Sequence, residues 1–500
     1  MPRRAAAVEL MLPPRDRGVP AYRWLYTALR GEILVGRLRP GTRLPATRDL
    51  ARQYALSRGT IVNAFEQLAS EGYVESTMGS GTHVSTVLPD DLLQVTRDAS
   101  PQPPARPKRH WRVSNYGQRV NPFPGIEVRP SRAFRANLPA VDLFPTAVWA
   151  RTIVRRLRHA STDLLLACEP TGFQPLRDIL AQYLSVSRGV KCAPGQVVIV
   201  SGVQEALDLV ARLFLDPGDR VCMEDPGYPG AATVFEAVGA KVSTAPLDDE
   251  GITLSDRSLR GTRLVYVTPG HQFPLGMTMS LSRRLQLLDW ARRAGALIFE
   301  DDYDSEYRYS GRPVPALQGL DHIGLVFFAG SFSKVLFPSL RLGYLVVPSD
   351  LVDCFAAAKS VTNRHAPLIE QAVLRDFIAG GHFGRHLRRM REVYAERLTA
   401  LLADARRHLA GLLEISRVEA GLQTVGWLTG GIDDESAAAA AAVRDVEVIP
   451  LSRYYRAPAR QPGLQLGFAA VHTQEIRRGV QDLAAALEAA RETSRRRSRR

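Results

Sequence analysis

From about residue 131 onward, short runs of consecutive apolar residues alternate with segments of helical periodicity. The runs occupy positions 196–200, 263–267, 296–299, 325–328 and 342–347, and polar residues do not alternate within them. Strands that are apolar on both faces occur mainly in parallel sheets that helices cover on each side. The pattern therefore predicts an α/β domain built on a parallel sheet with both faces covered.

The length of the chain indicates more than one domain, because its 500 residues exceed the roughly 100–200 residues of an ordinary domain. Residues 18–87 are predicted to form a small N-terminal domain. Residues 88–130 are rich in proline and charge, which is typical of a semi-extended linker. The α/β domain is predicted to occupy residues 131–490, and residues 491–500 form a basic tail.

The basic residues are concentrated at the two ends of the chain. The formal net charge is +14, of which residues 1–130 contribute +8 and the last ten residues +5. Residues 131–490 are close to neutral, with 40 basic and 39 acidic residues. A basic N-terminal segment suggests contact with a polyanion, whereas the basic tail is typical of a solubilising end without fixed structure.

Cysteine usage and hydropathy indicate the compartment. The four cysteines lie far apart and form no C-x-x-C pair, so neither a disulfide framework nor a zinc site is indicated. Glu9 and several prolines interrupt the N-terminal apolar run, which makes it a poor signal peptide. Because no apolar stretch approaches the ~18 residues that span a bilayer, we expect a cytoplasmic protein without a metal site or a membrane partner.

Residues 18–87 have the pattern of three short helices followed by two short strands. Apolar residues recur at helical spacing over 21–35, a second helix is predicted from about residue 47, and a third over 58–71. The strand-like segments 73–77 and 82–85 follow. This order predicts a winged helix-turn-helix domain of α+β class.

The charge of this domain favours DNA as its partner. Residues 21–60 contain eight arginines and only two acidic residues. The start of the third helix presents Ser57, Arg58 and Thr60, which can reach base edges and phosphates, and Ser57 is a suitable N-cap. Gly79 and Gly81 allow a wing backbone to approach a groove closely. The alternative is a helical hairpin that binds another protein, with its arginines merely solvated.

Three segments make this assignment specific: L-R-G-E-I-L-V-G-R-L-R-P-G-T-R-L-P-A-T-R-D-L-A, L-S-R-G-T-I-V-N-A-F-E-Q-L-A-S-E-G-Y and G-S-G-T-H-V. They closely resemble the GntR family of bacterial transcription regulators through essentially the whole N-terminal domain. The resemblance implies a double-stranded DNA operator as partner. The DNA contacts that it implies are made by Arg43, Arg48, Ser57, Arg58 and Thr60, and by the wing near Gly81.

Two loops of the α/β domain have the composition of a phosphate site. One follows the apolar run 196–200 and opens a helix, whose free backbone N–H groups can bind phosphate. The other follows the run 325–328 and offers hydroxyl groups and a guanidinium, which binds phosphate as a bidentate fork. Each signal is weak alone, because many strand-to-helix turns look like the first loop. The candidate phosphate ligands are Gly202, Val203, Gln204, Ser331, Ser333 and Arg341.

Four more residues follow apolar runs of the same sheet: Tyr228, Asp301, Tyr303 and Lys334. The carboxylate of Asp301 can pair with a pyridinium nitrogen, the phenol of Tyr303 can donate to a ring oxygen, and Tyr228 can stack on a flat cofactor. Lys334 can form a Schiff base with an aldehyde if its pKa is lowered. The alternatives are a packed loop tyrosine, a hydrated or Mg²⁺-binding pair of Asp301 and Asp302, and a solvated lysine.

The full set resembles the fold type I aminotransferases, and in particular the MocR subfamily, which joins a GntR-type domain to an aminotransferase-like domain. The matching segments include V-T-P-G-H-Q-F-P-L-G, F-E-D-D-Y-D-S-E-Y, G-S-F-S-K-V-L-F-P-S-L-R and L-Q-L-G-F. The resemblance implies pyridoxal 5'-phosphate (PLP) as cofactor, with Lys334 holding it, Asp301 at the ring nitrogen and Tyr303 at the ring oxygen. Tyr228 would stack on the ring, and the six candidate ligands would surround the phosphate. Such domains form homodimers.

Two departures from the aminotransferase pattern bear on function. Aminotransferases usually present an asparagine to the ring oxygen, and here Phe273 occupies that place, with His271 or Gln272 as substitutes. Members that use amino acids carry an arginine soon after the G-F pair, and here that position is Ala470. The loss of this carboxylate-binding arginine should weaken amino-acid binding by a few kcal/mol.

We interpret the chain as a PLP-binding transcription regulator of MocR type whose aminotransferase-like domain senses a small-molecule effector. Unless Arg453 or Arg456 replaces the missing arginine, PLP itself is the first candidate effector, as in the PdxR-like members that control vitamin B6 synthesis. An amino acid or amine is the second candidate. The alternative is a working aminotransferase with an appended DNA-binding domain, so whether the chain is a physiological enzyme stays open.

Overall fold

The computed structural model describes residues 10–16, 18–77, 81–88, 111–120, 131–166, 168–309, 314–415, 419–459 and 461–498. The chain divides into two compact units, Met1–Trp111 and Arg112–Arg500. The division falls within the predicted linker 88–130, most of which lies outside the described residues. The boundaries of the four predicted segments therefore stay predictions.

The N-terminal unit contains three helices and a two-stranded antiparallel sheet. The helices are α1 (Ala21–Leu34), α2 (Thr47–Gln53) and α3 (Arg58–Ser70), and the strands are β1 (Val74–Thr77) and β2 (Gly81–Val84). A short turn joins α2 to α3, and the strand pair follows α3. This order confirms the predicted winged helix-turn-helix.

The core of this unit is formed by the apolar stripes of its helices. Leu25, Leu29 and Ile33 lie one turn apart on α1 and are buried. They belong to the same cluster as Ile61 and Leu68 of α3. Because one face of each helix is used in this core, the opposite face and the start of α3 are left to solvent.

The second unit is built on an eight-stranded sheet with the strand order β3-β10-β9-β8-β7-β4-β5-β6. Helices cover both of its faces, as alternate residues of β3 show. Val197 and Ile199 pack in one apolar cluster, and Val198 and Val200 in another on the opposite face. The strands are β3 (Val197–Val200), β4 (Arg220–Asp225), β5 (Lys241–Asp248), β6 (Gly251–Ile252), β7 (Thr262–Val267), β8 (Leu297–Asp302), β9 (Val326–Ser331) and β10 (Gly343–Val346).

The predicted all-parallel sheet is wrong in one respect, because the sheet is mixed. Strand β10 pairs antiparallel with both β3 and β9, and the short edge strand β6 is antiparallel to β5. An apolar run indicates burial on both faces but not strand direction. Residues 332–342 join β9 to β10 without a long helix, and such a short connection returns the chain in the opposite direction.

The helices of this unit are of two kinds, those that cover the sheet and those that build the C-terminal part. Most are amphipathic and bury one stripe against the strands. Their bounds are Asn115–Arg119, Thr146–Arg158, Thr162–Leu166, Gln174–Arg188, Val203–Phe214, Pro229–Val238, Asp256–Leu259, Leu281–Ala294, Leu317–Leu320, Val352–Thr362, Leu368–Ala379, His382–His408, Asp434–Ala442 and Thr473–Ser498.

A second, antiparallel sheet lies in the C-terminal part, with the order β11-β12-β14-β13. Its strands are β11 (Leu413–Ile415), β12 (Gln423–Leu428), β13 (Ile449–Pro450) and β14 (Gly463–Gly467). The last helix, Thr473–Ser498, continues past residue 491, where a tail was predicted to begin. Of the helices in the described part of the chain, none combines the length and apolar character that crossing a membrane requires.

A buried ion pair ties the helix Gln174–Arg188 to the end of β8. The Arg188 guanidinium donates to both carboxylate oxygens of Asp302, at 2.7 and 3.0 Å. Both side chains are almost fully buried. A buried pair of this kind is costly to break, because the remaining charge stays buried without an opposite charge beside it.

We expect Arg188→Met to lower the free energy of unfolding by about 3–5 kcal/mol, because it leaves the Asp302 carboxylate buried and unpaired. Denaturant unfolding of the full chain measures this. The matched control is Arg292→Met, since Arg292 pairs with Asp289 on the exposed face of a helix, where about 0–1 kcal/mol is expected. Equal losses in the two variants would contradict the structural role of Arg188.

Candidate functional site: a ligand site at the sheet edge

Several loops of the second unit meet at one edge of the large sheet. Strands β4, β7, β8 and β9 run parallel, and β3 runs the same way because β10 is antiparallel to both β3 and β9. Their carboxyl ends share one edge, where open α/β sheets bind ligands. Asp301 lies near the carboxyl end of β8 at this edge, and the loops there contain Gly202, Tyr228 and Lys334. The fold thus gathers residues that are far apart in sequence.

The part of the site next to β3 is rich in hydrogen-bond donors. Gly202 has φ of +120° and precedes the helix Val203–Phe214. A Cβ added to Gly202 would lie 3.7 Å from both terminal nitrogens of Arg341, so this guanidinium lies against the start of the helix. Ser333 donates its N–H to Ser331 Oγ at 3.1 Å, and its own hydroxyl is buried without a partner. Such a donor set suits a phosphate.

Asp301 is a buried carboxylate with one free oxygen. Its Oδ2 accepts a hydrogen bond from Tyr266 at 2.8 Å, whereas Oδ1 is buried without a partner. Burial raises the pKa of Asp301 to about 7, against the lowering effect of the Tyr266 hydrogen bond. The neighbouring Asp302 is engaged by Arg188, so the two carboxylates do not form a cation-binding pair. A buried carboxylate with a free oxygen suits a protonated ring nitrogen.

Lys334 lies at the same edge, after β9. Its Nζ donates to the backbone carbonyl of Asn137 at 2.7 Å. Burial lowers the pKa of Lys334 to about 8, and the nearby carboxylates of Asp304 and Asp301 only partly oppose this effect. A lysine with a lowered pKa has more of the neutral amine that attacks an aldehyde.

Tyr228 borders the site at the start of the helix Pro229–Val238. The side-chain amide of Gln204 donates to its hydroxyl at 3.0 Å. Its ring packs against Phe273 with centroids 5.5 Å apart. Burial raises the pKa of Tyr228 to about 12, so the hydroxyl stays protonated at neutral pH. The side chain of Gln204 therefore contacts Tyr228, which with Phe273 forms an aromatic border of the site.

The start of α3 forms the candidate DNA-contacting surface of the N-terminal unit. Ser57 caps α3, accepting the Thr60 N–H at 3.1 Å, and the two hydroxyls are 2.8 Å apart. Arg48 and Arg58 are exposed. The first residue of β2, Gly81, has φ of +92°, and a Cβ there would lie 3.0 Å from Arg43 Nε. Gly79 lies outside the described residues.

Comparison with known proteins matches both units. The family of bacterial regulatory proteins, gntR family, matches residues 21–84, and the family of aminotransferases class I and II matches residues 135–483. The chain is 43% identical, over 96% of each chain, to the probable rhizopine catabolism regulatory protein MocR of Rhizobium meliloti. The chain belongs to the MocR-type regulators of the GntR family.

Further relatives of this MocR-type regulator include both regulators and enzymes. The pyridoxine biosynthesis transcriptional regulator PdxR of Corynebacterium glutamicum is 29% identical and matches 90% of this chain and 92% of its own. The multiple substrate aminotransferase of Thermococcus profundus has a TM-score of 0.69 at 28% identity, covering 76% of this chain and 98% of that one. LysN of Thermus thermophilus, solved with N-(5'-phosphopyridoxyl)-L-leucine, has a TM-score of 0.66 at 30% identity, covering 71% and 92%. The predicted fold class is confirmed.

The two residues that were predicted to substitute for the asparagine of aminotransferases, His271 and Gln272, have different contacts in the structure. His271 Nδ1 lies 3.0 Å from the Tyr303 hydroxyl and 2.8 Å from Asp304 Oδ1. Gln272 instead donates its amide to the carbonyls of Pro226 and Phe273, and so holds its own loop together. In this MocR-type regulator His271, rather than Gln272, contacts the tyrosine.

The two arginines considered as substitutes for the missing carboxylate ligand are occupied elsewhere. Arg453 forms a bidentate pair with Glu435, with N–O distances of 2.6 and 2.7 Å. Arg456 donates to Glu236. Since both pairs are formed at the surface, neither arginine is free to turn to a ligand without breaking a salt bridge.

Sequence reasoning missed several residues of the site. Tyr266 lies within a buried strand, where an aromatic residue is ordinarily part of the core. Asn137 has φ of +64°, which only the fold reveals. Gln423 and Gln465 lie in buried strands of the second sheet, and a glutamine between two leucines, as in L-Q-L-G-F, is the signal that was available.

We expect Lys334 to react with acetic anhydride as an amine of pKa about 8, since burial disfavours its charged form. Mass spectrometry of ligand-free protein labelled across a pH series measures this, with an unstructured lysine peptide of pKa about 10.4 as internal standard. In urea-unfolded protein the two midpoints should coincide. A Lys334 midpoint in the native protein that coincides with that of the peptide would contradict the effect of burial.

Proposed function

We propose that this MocR-type regulator binds PLP at Lys334 and that its aminotransferase-like domain is a small-molecule sensor for the DNA-binding domain. The observation that carries the proposal is the pair formed by Lys334, with its lowered pKa, and Asp301, with a buried unpaired oxygen. An aldehyde and a ring nitrogen would satisfy both groups. The unpaired Ser333 hydroxyl and the guanidinium of Arg341 would take the phosphate.

Each residue of the site has a role in this proposal. Asp301 would hold the ring nitrogen, Tyr303 the ring oxygen, and Tyr228 would pack against the ring. PLP, when bound, supplies an electron sink through its protonated ring. The phosphate would be surrounded by Gly202, Val203, Gln204, Ser331, Ser333 and Arg341. His271 Nδ1 lies 3.0 Å from the Tyr303 hydroxyl and would help to position it.

The first candidate effector is PLP itself, and the second is an amino acid or amine that binds beside it. The absence of an arginine at Ala470 and the occupied Arg453 and Arg456 support an effector without a carboxylate. The relative PdxR is described as a regulator of pyridoxine biosynthesis, which also supports PLP.

The DNA-binding domain would contact an operator as part of a homodimer, because two copies present two recognition helices to two half-sites. The proposed contacts are Arg43, Arg48, Ser57, Arg58 and Thr60, with the wing at Gly81. Exposed apolar side chains on the helix Thr146–Arg158, Val154 and Leu157, support a self-association surface.

A working aminotransferase is the second candidate, because Lys334, Asp301 and Tyr303 are all present at one sheet edge. It requires repeated release of a keto acid from an added amino acid. A sensor would release no more keto acid over time than the Lys334→Ala protein does. Incubation with the common amino acids and a keto-acid assay separates the two functions.

We expect Lys334→Ala to abolish the borohydride-stable attachment of PLP, since the other ligands proposed here would hold PLP without a covalent bond. Peptide mass spectrometry after reduction should locate the adduct on Lys334 in the wild-type chain. The exposed Lys191 provides the control variant Lys191→Ala, which should retain the adduct. An adduct at another lysine, or one that survives in a folded Lys334→Ala protein, would contradict the proposed site.

We expect Arg58→Ala to weaken binding to the chain's own promoter region by about 1–3 kcal/mol, which is roughly 5- to 150-fold. Fluorescence anisotropy at fixed salt measures the change. The control is Arg37→Ala, because Arg37 is already paired with Glu32 on α1 and should matter little. If Arg58→Ala binds as tightly as Arg37→Ala, the assignment of the recognition helix is wrong.

A further inference from the structure

One face of the second sheet points toward the site at Lys334. Gln465 on β14 lies opposite Val425 on β12, and Gln423 lies opposite Gly467. Residues opposite one another, and residues two apart on one strand, share a face. Val425 packs with Phe273 and Tyr454. Gln423 and Gln465 therefore project to the side that Phe273 occupies, which is the side of Tyr228 and Tyr303.

Hydrogen bonds connect Gln423 to Lys334 through Asn137, and Gln465 to Tyr454 beside Asn137. The backbone N–H of Asn137 donates to Gln423 Oε1 at 2.8 Å, and its carbonyl accepts from Lys334 Nζ at 2.7 Å. Burial raises the pKa of the Tyr454 hydroxyl, and the side chain of Asn137 lies close enough to it to oppose this effect in part. That hydroxyl donates to Gln465 Oε1 at 2.7 Å. These hydrogen bonds use the carbonyl oxygen of each glutamine and fix the orientation of each amide.

The amide NH₂ groups of both glutamines are buried and have no hydrogen-bond partner. Gln423 is 2% exposed and Gln465 is 0% exposed. Buried donors are almost always paired in folded proteins, and an unpaired one calls for a ligand, an ion or a water. The unpaired atoms of Asp301 and Ser333 are accounted for by the proposed cofactor. The two amides are on the other wall, which the second sheet forms.

We propose that Gln423 and Gln465 are a second subsite, which binds an uncharged oxygen (a hydroxyl or carbonyl group) of an amine effector next to Lys334. This inference rests on the proposed PLP site and specifies the second candidate effector, an amine that would bind beside PLP. Two NH₂ donors supply hydrogen bonds to an oxygen but no charge.

A neutral oxygen suits this subsite better than a carboxylate. A carboxylate that leaves water needs a cation as well as hydrogen bonds. Among the described residues, Arg453 and Arg456 are paired with Glu435 and Glu236 at the surface, and Lys334 is bonded to Asn137. The ligand class that fits is therefore an amino alcohol or amino ketone rather than an amino acid.

The test compares matched pairs of probes on full-length protein loaded with PLP. The pairs are L-alaninol with L-alanine and β-alaninol with β-alanine, which differ in a hydroxymethyl group or a carboxylate. Isothermal calorimetry should give at least one alcohol an affinity ~10-fold or more above that of its acid, equivalent to about 1.4 kcal/mol. Equal affinities in both pairs, or tighter binding of both acids, would overturn the subsite.

Variants at Gln465 test whether its side-chain amide causes the preference for the alcohol over the acid. Gln465→Met should reduce the affinity for the preferred alcohol ~10-fold or more, while the exposed Gln286→Met should leave it unchanged. Gln465→Arg should reverse the preference, because it adds the missing cation. If Gln465→Met does not fold, Gln423→Met provides the same test. An alcohol preference that persists in folded Gln465→Met and Gln423→Met would overturn the subsite.

Different results would refute the proposed PLP site and the proposed subsite of Gln423 and Gln465. A wild-type chain that does not acquire the visible absorption of lysine-bound PLP refutes the proposed cofactor site, and the subsite with it. A chain that acquires this absorption but binds alcohols and acids alike retains the cofactor site and refutes the subsite alone.

Discussion

The parallel direction of β4, β7, β8 and β9 is the constraint on which the site depends. Parallel strands end at one edge, and so the loops after them meet there whatever their separation in sequence. Strand β3 belongs to this arrangement as well. Because β10 lies between β3 and β9 and is antiparallel to both, β3 runs in the same direction as β9. The helix N-terminus after Gly202 therefore lies at the same edge as Lys334.

Burial then gives the groups at this edge their chemical character. Desolvation lowers the pKa of Lys334 to about 8 and raises that of Asp301 to about 7, because it disfavours the charged form of both. The same burial leaves specific atoms without partners. These atoms lie on two walls, one formed by the large sheet and one by Gln423 and Gln465 of the small sheet. We therefore propose that the site takes more than one ligand group.

Much of this could be predicted from the sequence, for identifiable reasons. The winged helix-turn-helix follows from apolar spacing and turn residues that act locally. Asp301 and Lys334 could be placed because each comes shortly after an apolar run of the sequence, 296–299 and 325–328. The direction of β10 could not, since an apolar run carries no direction. The position of Gln465 between two leucines was a usable signal, but its shared face with Gln423 could not be predicted, because that face depends on the register of two strands that are distant in sequence.

We propose that a ligand bound at Lys334 changes the affinity of the DNA-binding domain for its operator. The most direct measurement is the affinity for promoter DNA, with and without saturating PLP, in wild-type protein and in folded Lys334→Ala. We predict that PLP shifts the affinity of the wild-type chain and leaves that of Lys334→Ala unchanged. An equal shift in both proteins, or no shift in the wild-type chain, would contradict the account.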